Sequence, residues 1–479
     1  MSSDYTDPPS MDFADCYPSL AALKSRMPLK IGRLEKAQAR YRSFADRNIR
    51  PIAVEVDRKS KEDHDALNWD FARLAAKERM FSIIIPKLLG GQGGDIIELS
   101  IMLEELCAAC TGLGNLVGTH YLGFAGIAAG MNLDVIGEIS DEIIDGEKRG
   151  EAIIASAAHT EPQAGSDVED EEHMPTARVG TTVKKVDGGY LLNGQKVFIS
   201  DGHYATWHMV SAYEDKADPL NSTLLLVTKT GMEGFNIVSH ERKMGQRATP
   251  ASTLIFEDCF VPDRYVVTIK KEPFARVLFV LGASRVGVGA IGTGCARNAY
   301  EKAVEIAKTE KMNGKYLIDE QWVQQILADM LSNVMISRAM YLSAAWCEQK
   351  DGMMGLILNP VLTWLQTFTP QFVFRFSPYR KLIRSGIMSK IMNLALQRIN
   401  LKRRQRGQAH SSMAKFIAGD MAMRNANLAL DIAGAAGLAQ SAGIEKVFRD
   451  AKLVQIYEGT NQINRKHVWD SLIARKTTM

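Results

Sequence analysis

Cysteine is scarce in this sequence, with 6 residues scattered over 479 positions. This number and spacing exclude a disulfide framework and indicate a reduced compartment, so we expect a cytoplasmic protein. Cys107 and Cys110 form a Cys-x-x-Cys pair but lack the second pair that a zinc site needs, and we predict no metal site. We expect both to be small packed side chains of a helix.

Charge of one sign and long apolar runs are also lacking. The formal net charge is only +3, so the bulk charge gives no reason to expect a nucleic acid partner. No uninterrupted, charge-free run has the length of a membrane span. Residues 1–17 contain four Asp and neither Lys nor Arg, which fits neither a secretory signal nor a transit peptide.

The alternation of helical and strand patterns predicts an α+β chain with several domains. Short strands in the middle are typical of a small β-barrel or sandwich, and long helices after them are typical of an antiparallel four-helix bundle. The expected parts are an N-terminal extension at 1–30, an N-terminal helical domain at 31–154, a middle β-domain at 155–270 and a C-terminal helical bundle at 271–479. Within the β-domain, residues 189–200 are predicted to form a hairpin that turns at Asn193-Gly194.

The most informative string lies near the C-terminus, at residues 455–465, and reads QIYEGTNQINR. It places Glu458 at a break between helices, because Gly459 suits a helix end and Thr460 suits the N-cap of the next helix. A partly buried Glu in such a kink can have its pKa tuned for general base catalysis. The alternative is an ordinary solvated Glu at a helix end.

Three further strings precede it in the chain. Residues 159–168, HTEPQAGSDV, form a turn-rich loop that exposes backbone N–H groups and hydroxyls to a ligand, although a plain surface loop has the same composition. Residues 193–200, NGQKVFIS, follow, and taken alone Phe198 would be a core residue. Residues 244–247, MGQR, come before the strand that ends at Val261-Pro262.

A literal Gly-x-Gly-x-x-Gly at Gly287, Gly289 and Gly292 is compatible with a dinucleotide-binding turn. No series of alternating strands and helices surrounds it. Small residues spaced along a helix also permit close helix packing, and we favour that interpretation.

Taken in order, the four strings resemble the signatures of the acyl-CoA dehydrogenase flavoenzymes. The resemblance implies non-covalent FAD, an acyl-CoA substrate, electron-transfer flavoprotein as acceptor, a homodimer or homotetramer, and α,β-dehydrogenation with Glu458 as base. It implies substrate contacts at Ser166, Glu458 and Gly459. It implies cofactor contacts at Thr160, Gly165, Ser166, Phe198, Ile199, Ser200, Gln321, Gly434, Thr460 and Gln462.

Some members of that family carry the base one residue before an Arg in the first bundle helix. The matching Arg here is Arg285, so the other base position is Ser284, which has no carboxylate. The resemblance therefore assigns the base to Glu458, the medium-chain and short-chain position.

The sequence departs from the family where FAD is expected to meet a neighbouring subunit. Glu310 and Asn313 replace the usual Arg and Phe of one string, and Asp431 and Ala435 replace a Gln and a Gly of another. A carboxylate near a pyrophosphate is repulsive. A non-catalytic scaffold on the same fold is therefore an alternative, as are an acyl-CoA oxidase and an enoyl-CoA reductase.

An unusual insertion at 352–408 lacks Asp and Glu, contains ten Lys or Arg, and is rich in apolar residues. This composition predicts contact with an anionic membrane surface or an acidic partner, and thus a peripheral position at the inner membrane face. A solvated basic hairpin with an apolar inner side is the alternative.

Overall fold

The structure, a computed structural model, describes residues 12–63, 67–267, 273–351, 377–397 and 401–474. The N-terminal part is helical, and its two central helices are almost entirely buried. Its helices are α1 (Phe13–Cys16), α2 (Pro18–Ala21), α3 (Pro28–Asn48), α4 (Ala53–Glu62), α5 (Trp69–Lys77), α6 (Ile96–Ala109), α7 (Thr111–Ala128) and α8 (Leu133–Arg149).

The segment before α3 packs into the core, which the weak periodicity of residues 1–30 did not indicate. Phe13, Tyr17 and Leu20 are buried there. The Tyr17 hydroxyl donates to Glu104 of α6 at 3.3 Å. Three large side chains anchor this stretch, and α1 and α2 are too short to show a helical period in sequence.

In the described part of the middle region, seven strands form one curled sheet with α9 (Pro219–Ser222) before its fifth strand. The strands run in the order β1-β4-β2-β3-β7-β6, with β5 paired to β4. Their bounds are β1 (Ile154–Ala158), β2 (Thr182–Val186), β3 (Gly189–Ser200), β4 (Ala205–Tyr213), β5 (Thr223–Lys229), β6 (Phe235–His240) and β7 (Ala251–Pro262).

The predicted hairpin turn at Asn193-Gly194 is wrong. The chain turns instead at Asp187-Gly188, between β2 and β3, where Gly188 has φ 72°. Asn193 and Gly194 lie inside β3, at a register shift against β7. Because β3 pairs with β2 on one side and β7 on the other, it continues through the dipeptide as a bulge.

Four long helices form the C-terminal bundle, as expected. They are α10 (Pro273–Thr309), α11 (Gln321–Asp351), α14 (Leu401–Gly437) and α15 (Ile444–Val454). A small hairpin of β8 (Lys311–Met312) and β9 (Lys315–Tyr316) joins α10 to α11 through a turn at Asn313-Gly314. Among the described residues one helix, Arg276–Thr309, has the length and hydropathy of a membrane span, and 83% of its most apolar stretch is buried inside the protein.

The Gly-x-Gly-x-x-Gly string lies inside α10 and serves helix packing. A Cβ on Gly289 would come within 3.1 Å of the Ala414 Cβ, and one on Gly292 within 2.9 Å of the Ala418 Cβ. These glycines let α14 approach α10 closely, so the dinucleotide alternative is wrong.

Buried ion pairs join the bundle to the N-terminal helices. Arg338 of α11 donates to Glu104 at 3.1 Å, and Arg297 of α10 donates to Glu105 at 2.9 Å. Burial alone would raise the pKa of Glu104, but the charge and hydrogen bonds of Arg338 lower it to about 2. These ion pairs join α10 and α11 to α6. Removing one partner would leave a buried charge unpaired and destabilise the fold.

The predicted insertion is described only in part, since residues 352–376 and 398–400 fall outside the described ranges. It contains α12 (Ser377–Ile383) and α13 (Gly386–Gln397), which lie against α8. Residues 401–408 form the first part of the long helix α14. The last helix of the chain is α16 (Asn461–Val468).

Candidate active site

One apolar cavity of about 220 Å³ runs between α6, α7, α10 and α13 and reaches Glu458. Most of its lining side chains are aliphatic. The polar ones include Asn115, Thr119, Ser200, Ser284, Tyr457 and Glu458. Among the described residues that line the cavity, Glu458 is the only carboxylate.

Glu458 lies in a tight loop between α15 and α16. It has φ 56° and Gly459 has φ 75°, so both adopt the left-handed conformation. This conformation costs a residue with a Cβ roughly 1–2 kcal/mol, and such strain persists only where the surroundings hold it. Thr460 caps α16, its hydroxyl accepting from the N–H of Ile463 at 3.4 Å.

Three side chains hold this loop by its backbone carbonyls. Arg285 Nε donates to the Glu458 carbonyl at 3.1 Å. Lys415 Nζ donates to the Gly459 carbonyl at 2.7 Å, and Asn464 Nδ2 donates to the same oxygen at 2.9 Å. These contacts offset the cost of the left-handed turn and fix the position of the Glu458 carboxylate.

The Glu458 carboxylate accepts a hydrogen bond of 2.6 Å from the Ser284 hydroxyl. Burial raises the pKa of Glu458, whereas the Ser284 hydrogen bond and the charges of Arg285 and Lys415 lower it. A carboxylate balanced in this way has the properties of a general base.

A second buried carboxylate, Glu169, lies on the far side of Arg285. Arg285 is fully buried and donates to Glu169 at 2.9 Å. Burial raises the pKa of Glu169 to about 7, against the effect of Arg285 and with a contribution from the nearby charge of Glu458. Burial likewise lowers the pKa of Lys415 to about 7. Sequence reasoning gave neither Glu169 nor Lys415 a role, although each is a charged residue beside buried apolar positions.

The loop after β1 meets the Glu458 loop directly. Ser166 Oγ accepts from the N–H of Thr460 at 3.2 Å, so two strings that are 294 residues apart in the chain lie together. The Thr160 carbonyl accepts from the N–H of Val197 at 3.0 Å, which joins the same loop to β3. The space beside Gly165 is open, with no atom within 4 Å of where a Cβ would lie.

Gln246 connects the third string to this site. Its side chain accepts from Asn115 at 3.1 Å and donates to the Tyr457 hydroxyl at 3.3 Å. It also donates to the backbone of Asp450 in α15 at 2.9 Å. One buried glutamine therefore joins the β-domain, α7 and the residue before Glu458. Sequence reasoning quoted this glutamine within its string but assigned it no contact.

Phe198 differs from the core side chain that it would be if taken alone. It has φ 57° and is 60% exposed, at a register shift of β3, while Ile199 beside it is buried and Ser200 lines the cavity. A large exposed aromatic held in a strained backbone, two residues before the hydroxyl of Ser200, fits one face of a planar flavin. The residues present therefore fit the cofactor on this side.

The remaining predicted cofactor residues lie elsewhere on the surface of the chain. Gln321 is exposed at the first residue of α11, Gly434 is exposed at a kink of α14 with φ 53°, and Gln462 is exposed on α16. None of them lines the cavity that contains Glu458. Glu310 and Asp431, the two acidic departures, are exposed as well.

Three domain models of one family match this chain. The acyl-CoA dehydrogenase N-terminal domain matches residues 33–132 and the middle domain matches 156–259. The C-terminal domain matches 274–361 and 387–473, which leaves 362–386 outside the match.

Named relatives agree with these matches. The chain is 28% identical over 433 residues to probable acyl-CoA dehydrogenase FadE25 of Mycobacterium tuberculosis, over 90% of this chain and 93% of that protein. It is 28% identical over 432 residues to cyclohex-1-ene-1-carbonyl-CoA dehydrogenase of Syntrophus aciditrophicus, over 90% and 88%. The structure of butyryl-CoA dehydrogenase from Megasphaera elsdenii has the same fold, with a TM-score of 0.70, 23% identity, and coverage of 92% of this chain and 98% of that one.

Proposed function

The chain belongs to the acyl-CoA dehydrogenase family of FAD-dependent oxidoreductases, and on that premise we propose that it converts an acyl-CoA thioester into the 2-enoyl-CoA with Glu458 as the base. One observation carries the proposal: Glu458 is the only carboxylate among the described residues of an apolar cavity, and it lies at the polar end. An acyl chain in that cavity presents its α-carbon to a single proton acceptor.

Each group of the site has a separate task in this reaction. Glu458 takes the α-proton, and its own backbone N–H donates to the thioester carbonyl, which makes that proton more acidic. Arg285, Lys415 and Asn464 keep the base in place through its backbone. The aliphatic walls exclude water from the reacting carbons. FAD, held by Thr160, Gly165, Ser166, Phe198, Ile199, Ser200 and Thr460, supplies the hydride acceptor when bound.

The test begins with the purified protein supplied with FAD. The proposal expects flavin absorbance that an acyl-CoA bleaches, with the 2-enoyl-CoA formed in equal amount. A protein that takes up no FAD, or whose flavin no acyl-CoA reduces, contradicts the proposal and supports the scaffold alternative.

For the electrons we propose electron-transfer flavoprotein as the acceptor, as the family resemblance implies. The rate at which different acceptors reoxidise the substrate-reduced protein distinguishes a dehydrogenase from an oxidase or a reductase. Fast reoxidation by electron-transfer flavoprotein and slow reoxidation by O₂ supports a dehydrogenase. The opposite order identifies an oxidase, and efficient reduction of the enoyl-CoA by a reduced carrier identifies a reductase.

We further propose a homo-oligomer in which Gln321 and Gly434 of one subunit reach the FAD of its neighbour. Both residues are exposed and lie outside the cavity that contains Glu458, so they are accessible to a second subunit. Gln321→Ala is expected to weaken FAD retention without changing the oligomeric mass. Unchanged retention in an oligomer, or a monomer that holds FAD firmly, contradicts the arrangement.

The outer face of α13 supports a membrane role for the insertion. Ile387, Ile391 and Leu394 follow one another at helical spacing and are 73%, 52% and 56% exposed, and Lys390 lies among them. We propose that this face binds an anionic bilayer and places the protein at the inner membrane face. Basic residues beside an apolar stripe favour that surface over a neutral one.

Co-sedimentation with vesicles of anionic phospholipid tests this surface. Ile391→Glu is expected to abolish binding, whereas Gln397→Glu, which adds the same charge at the end of the same helix without removing an apolar group, weakens it less. Equal loss in both variants, or binding that neither changes, contradicts the proposal. Binding to an acidic protein but not to vesicles does so too.

A further inference from the structure

The insertion reaches into the site as well as lying on the surface. Ile383 at the end of α12, and Met388 and Met392 of α13, line the same cavity as Glu458. Met388 and Met392 lie on a face of α13 that adjoins the exposed face of Ile387, Ile391 and Leu394. One short helix therefore contributes one face to the cavity wall and presents the adjoining face to solvent.

The two helices are fixed to the N-terminal domain by polar contacts. Arg384 forms an ion pair of 2.8 Å with Asp141 and donates to the Gly137 carbonyl at 2.9 Å, both in α8. The Ser389 hydroxyl accepts from the N–H of Leu133 at 3.1 Å, at the start of α8. The cavity-facing side chains are thus held by contacts that lie outside the cavity.

Apolar packing fixes the same helix at the far end of α7. Leu396 is buried in a cluster with Ala129 and Met131, and Met392 packs against that cluster. The residues of α7 that line the cavity run from Asn115 to Ala128, which corresponds to about 20 Å of helix at 1.5 Å per residue. Asn115 is joined through Gln246 to Tyr457, so Glu458 lies near one end of this path and Met392 near the other.

The chemistry of the far end defines what it accepts. Beyond the polar end, the described lining consists of aliphatic, proline, aromatic and methionine side chains, and the Tyr121 hydroxyl there is already bonded to the Met80 carbonyl. No charged side chain in that part of the described lining can receive a terminal carboxylate. A straight apolar acyl tail packs against these side chains without leaving a polar group unpaired. The flexible methionine side chains can adjust to the end of the tail.

We propose that α12 and α13 close the distal end of the acyl cavity, and that Met388 and Met392 set the longest straight-chain acyl group that the protein accepts. This inference rests on the proposed acyl-CoA dehydrogenation. In a closed tube each added methylene strengthens binding by about fourfold until the tail meets the wall, after which affinity stops rising.

The test measures binding rather than turnover. Straight-chain acyl-CoAs of increasing length are titrated calorimetrically into the FAD-loaded Glu458→Gln protein, which cannot use them up. Met392→Trp is expected to shorten the chain at which affinity stops rising, and to weaken binding of longer chains at least about tenfold while short chains bind as before. Met392→Ala is expected to move that limit to longer chains. The matched control is Ile391→Trp, the same enlargement on the exposed face of the same helix.

The outcomes separate this inference from the proposed function. If both Met392 variants leave the length limit where it was, or if Ile391→Trp moves it equally, the insertion does not close the cavity, whatever the protein catalyses. If the limit moves as expected but the wild-type protein oxidises no acyl-CoA of any length, the inference stands and the proposed reaction is wrong.

Discussion

The hydroxyl of Ser284 donates a hydrogen bond of 2.6 Å to Oε2 of Glu458. The family resemblance makes Ser284 the alternative position for a base, and this residue, which has no carboxylate, contacts the proposed base Glu458. Because the bond favours the charged form, it lowers the pKa of a carboxyl that burial raises. Ser284 therefore tunes the proposed base.

Replacing Ser284 by Ala is expected to move the acidic limb of the kcat/KM profile to higher pH. The base works when deprotonated, and removing a donor to its carboxylate raises its pKa, so more alkali is needed to ionise it. A hydrogen bond to a charged group contributes about 1.5–3 kcal/mol, which corresponds to roughly one to two pH units. Ser284→Thr retains the hydroxyl and should keep the limb in place. A limb that stays fixed in the Ala variant shows that the bond does not tune Glu458.

Replacing Glu458 by Gln is expected to preserve FAD binding and to slow flavin bleaching by acyl-CoA strongly. The amide fits the same loop, which is held by backbone contacts, but it cannot accept the α-proton. Loss of a general base costs about 10²–10⁴-fold in rate. Stopped-flow absorbance of the flavin measures the loss, with the exposed Glu257→Gln as control. Reduction at the wild-type rate in the Gln variant shows that another group takes the proton.

The sequence allowed prediction of the long elements and of the Glu458 loop because each has a local cause. Thr460 caps the start of α16 as predicted, and Gly459 adopts the left-handed conformation before it, although α15 already ends at Val454. The Asn193-Gly194 turn failed for the opposite reason. The local preference of Asn-Gly for a turn is overridden because β3 pairs with β2 on one side and β7 on the other. Asn313-Gly314 has no strand paired on both sides of it and does form a hairpin.

The contacts that hold Glu458 could not be derived from sequence spacing because the residues that make them are distant in the chain. Ser284, Arg285 and Lys415 come from two bundle helices, and Glu169 from the loop after β1. The packing of α10 against α14 brings Ser284, Arg285 and Lys415 to one loop, and Glu169 joins them through its ion pair with Arg285. The position of Met392 could not be predicted either. The composition of its segment indicated a surface element, whereas one face of α13 lines the cavity.

Glu161 and Lys196, which belong to two of the sequence strings, form a buried ion pair of 2.7 Å between the loop after β1 and β3. Glu161 also accepts from the N–H of Thr181 at 3.2 Å. Lys196→Met is expected to destabilise the protein by about 3–5 kcal/mol, because it leaves a buried carboxylate without its cation. Urea denaturation followed by β-sheet circular dichroism measures the loss.

The double variant Glu161→Gln, Lys196→Met tests the cause of that loss. Removing both charges is expected to recover part of the stability lost in Lys196→Met alone, because no uncompensated charge remains. If the double variant loses as much as the sum of the two single variants, the two side chains act independently. The ion pair would then not be what joins the loop to the strand.

Asp201 gives a prediction about pH and stability. Burial raises the pKa of this carboxyl to about 8, against a hydrogen bond from Thr119 and the nearby charge of Lys243. The folded protein thus retains a proton that the unfolded chain releases near pH 4. Between these values the unfolded state binds fewer protons, so the free energy of unfolding falls as pH rises, by up to about 1.4 kcal/mol per pH unit.

Asp201→Asn is expected to remove this fall, because the amide carries no proton to lose and Asn tolerates the left-handed φ of 58° found there. The thermal midpoint of the FAD-saturated variant should differ least from the wild type near pH 4 and exceed it increasingly toward pH 7.5. Asp258→Asn is the control, since Asp258 has a similar φ of 47° but is exposed. If the thermal midpoint rises by the same amount at every pH, Asp201 is ionised in the folded protein at neutral pH. If Asp258→Asn raises the midpoint in the same pH-dependent way, the effect does not come from the buried carboxyl of Asp201.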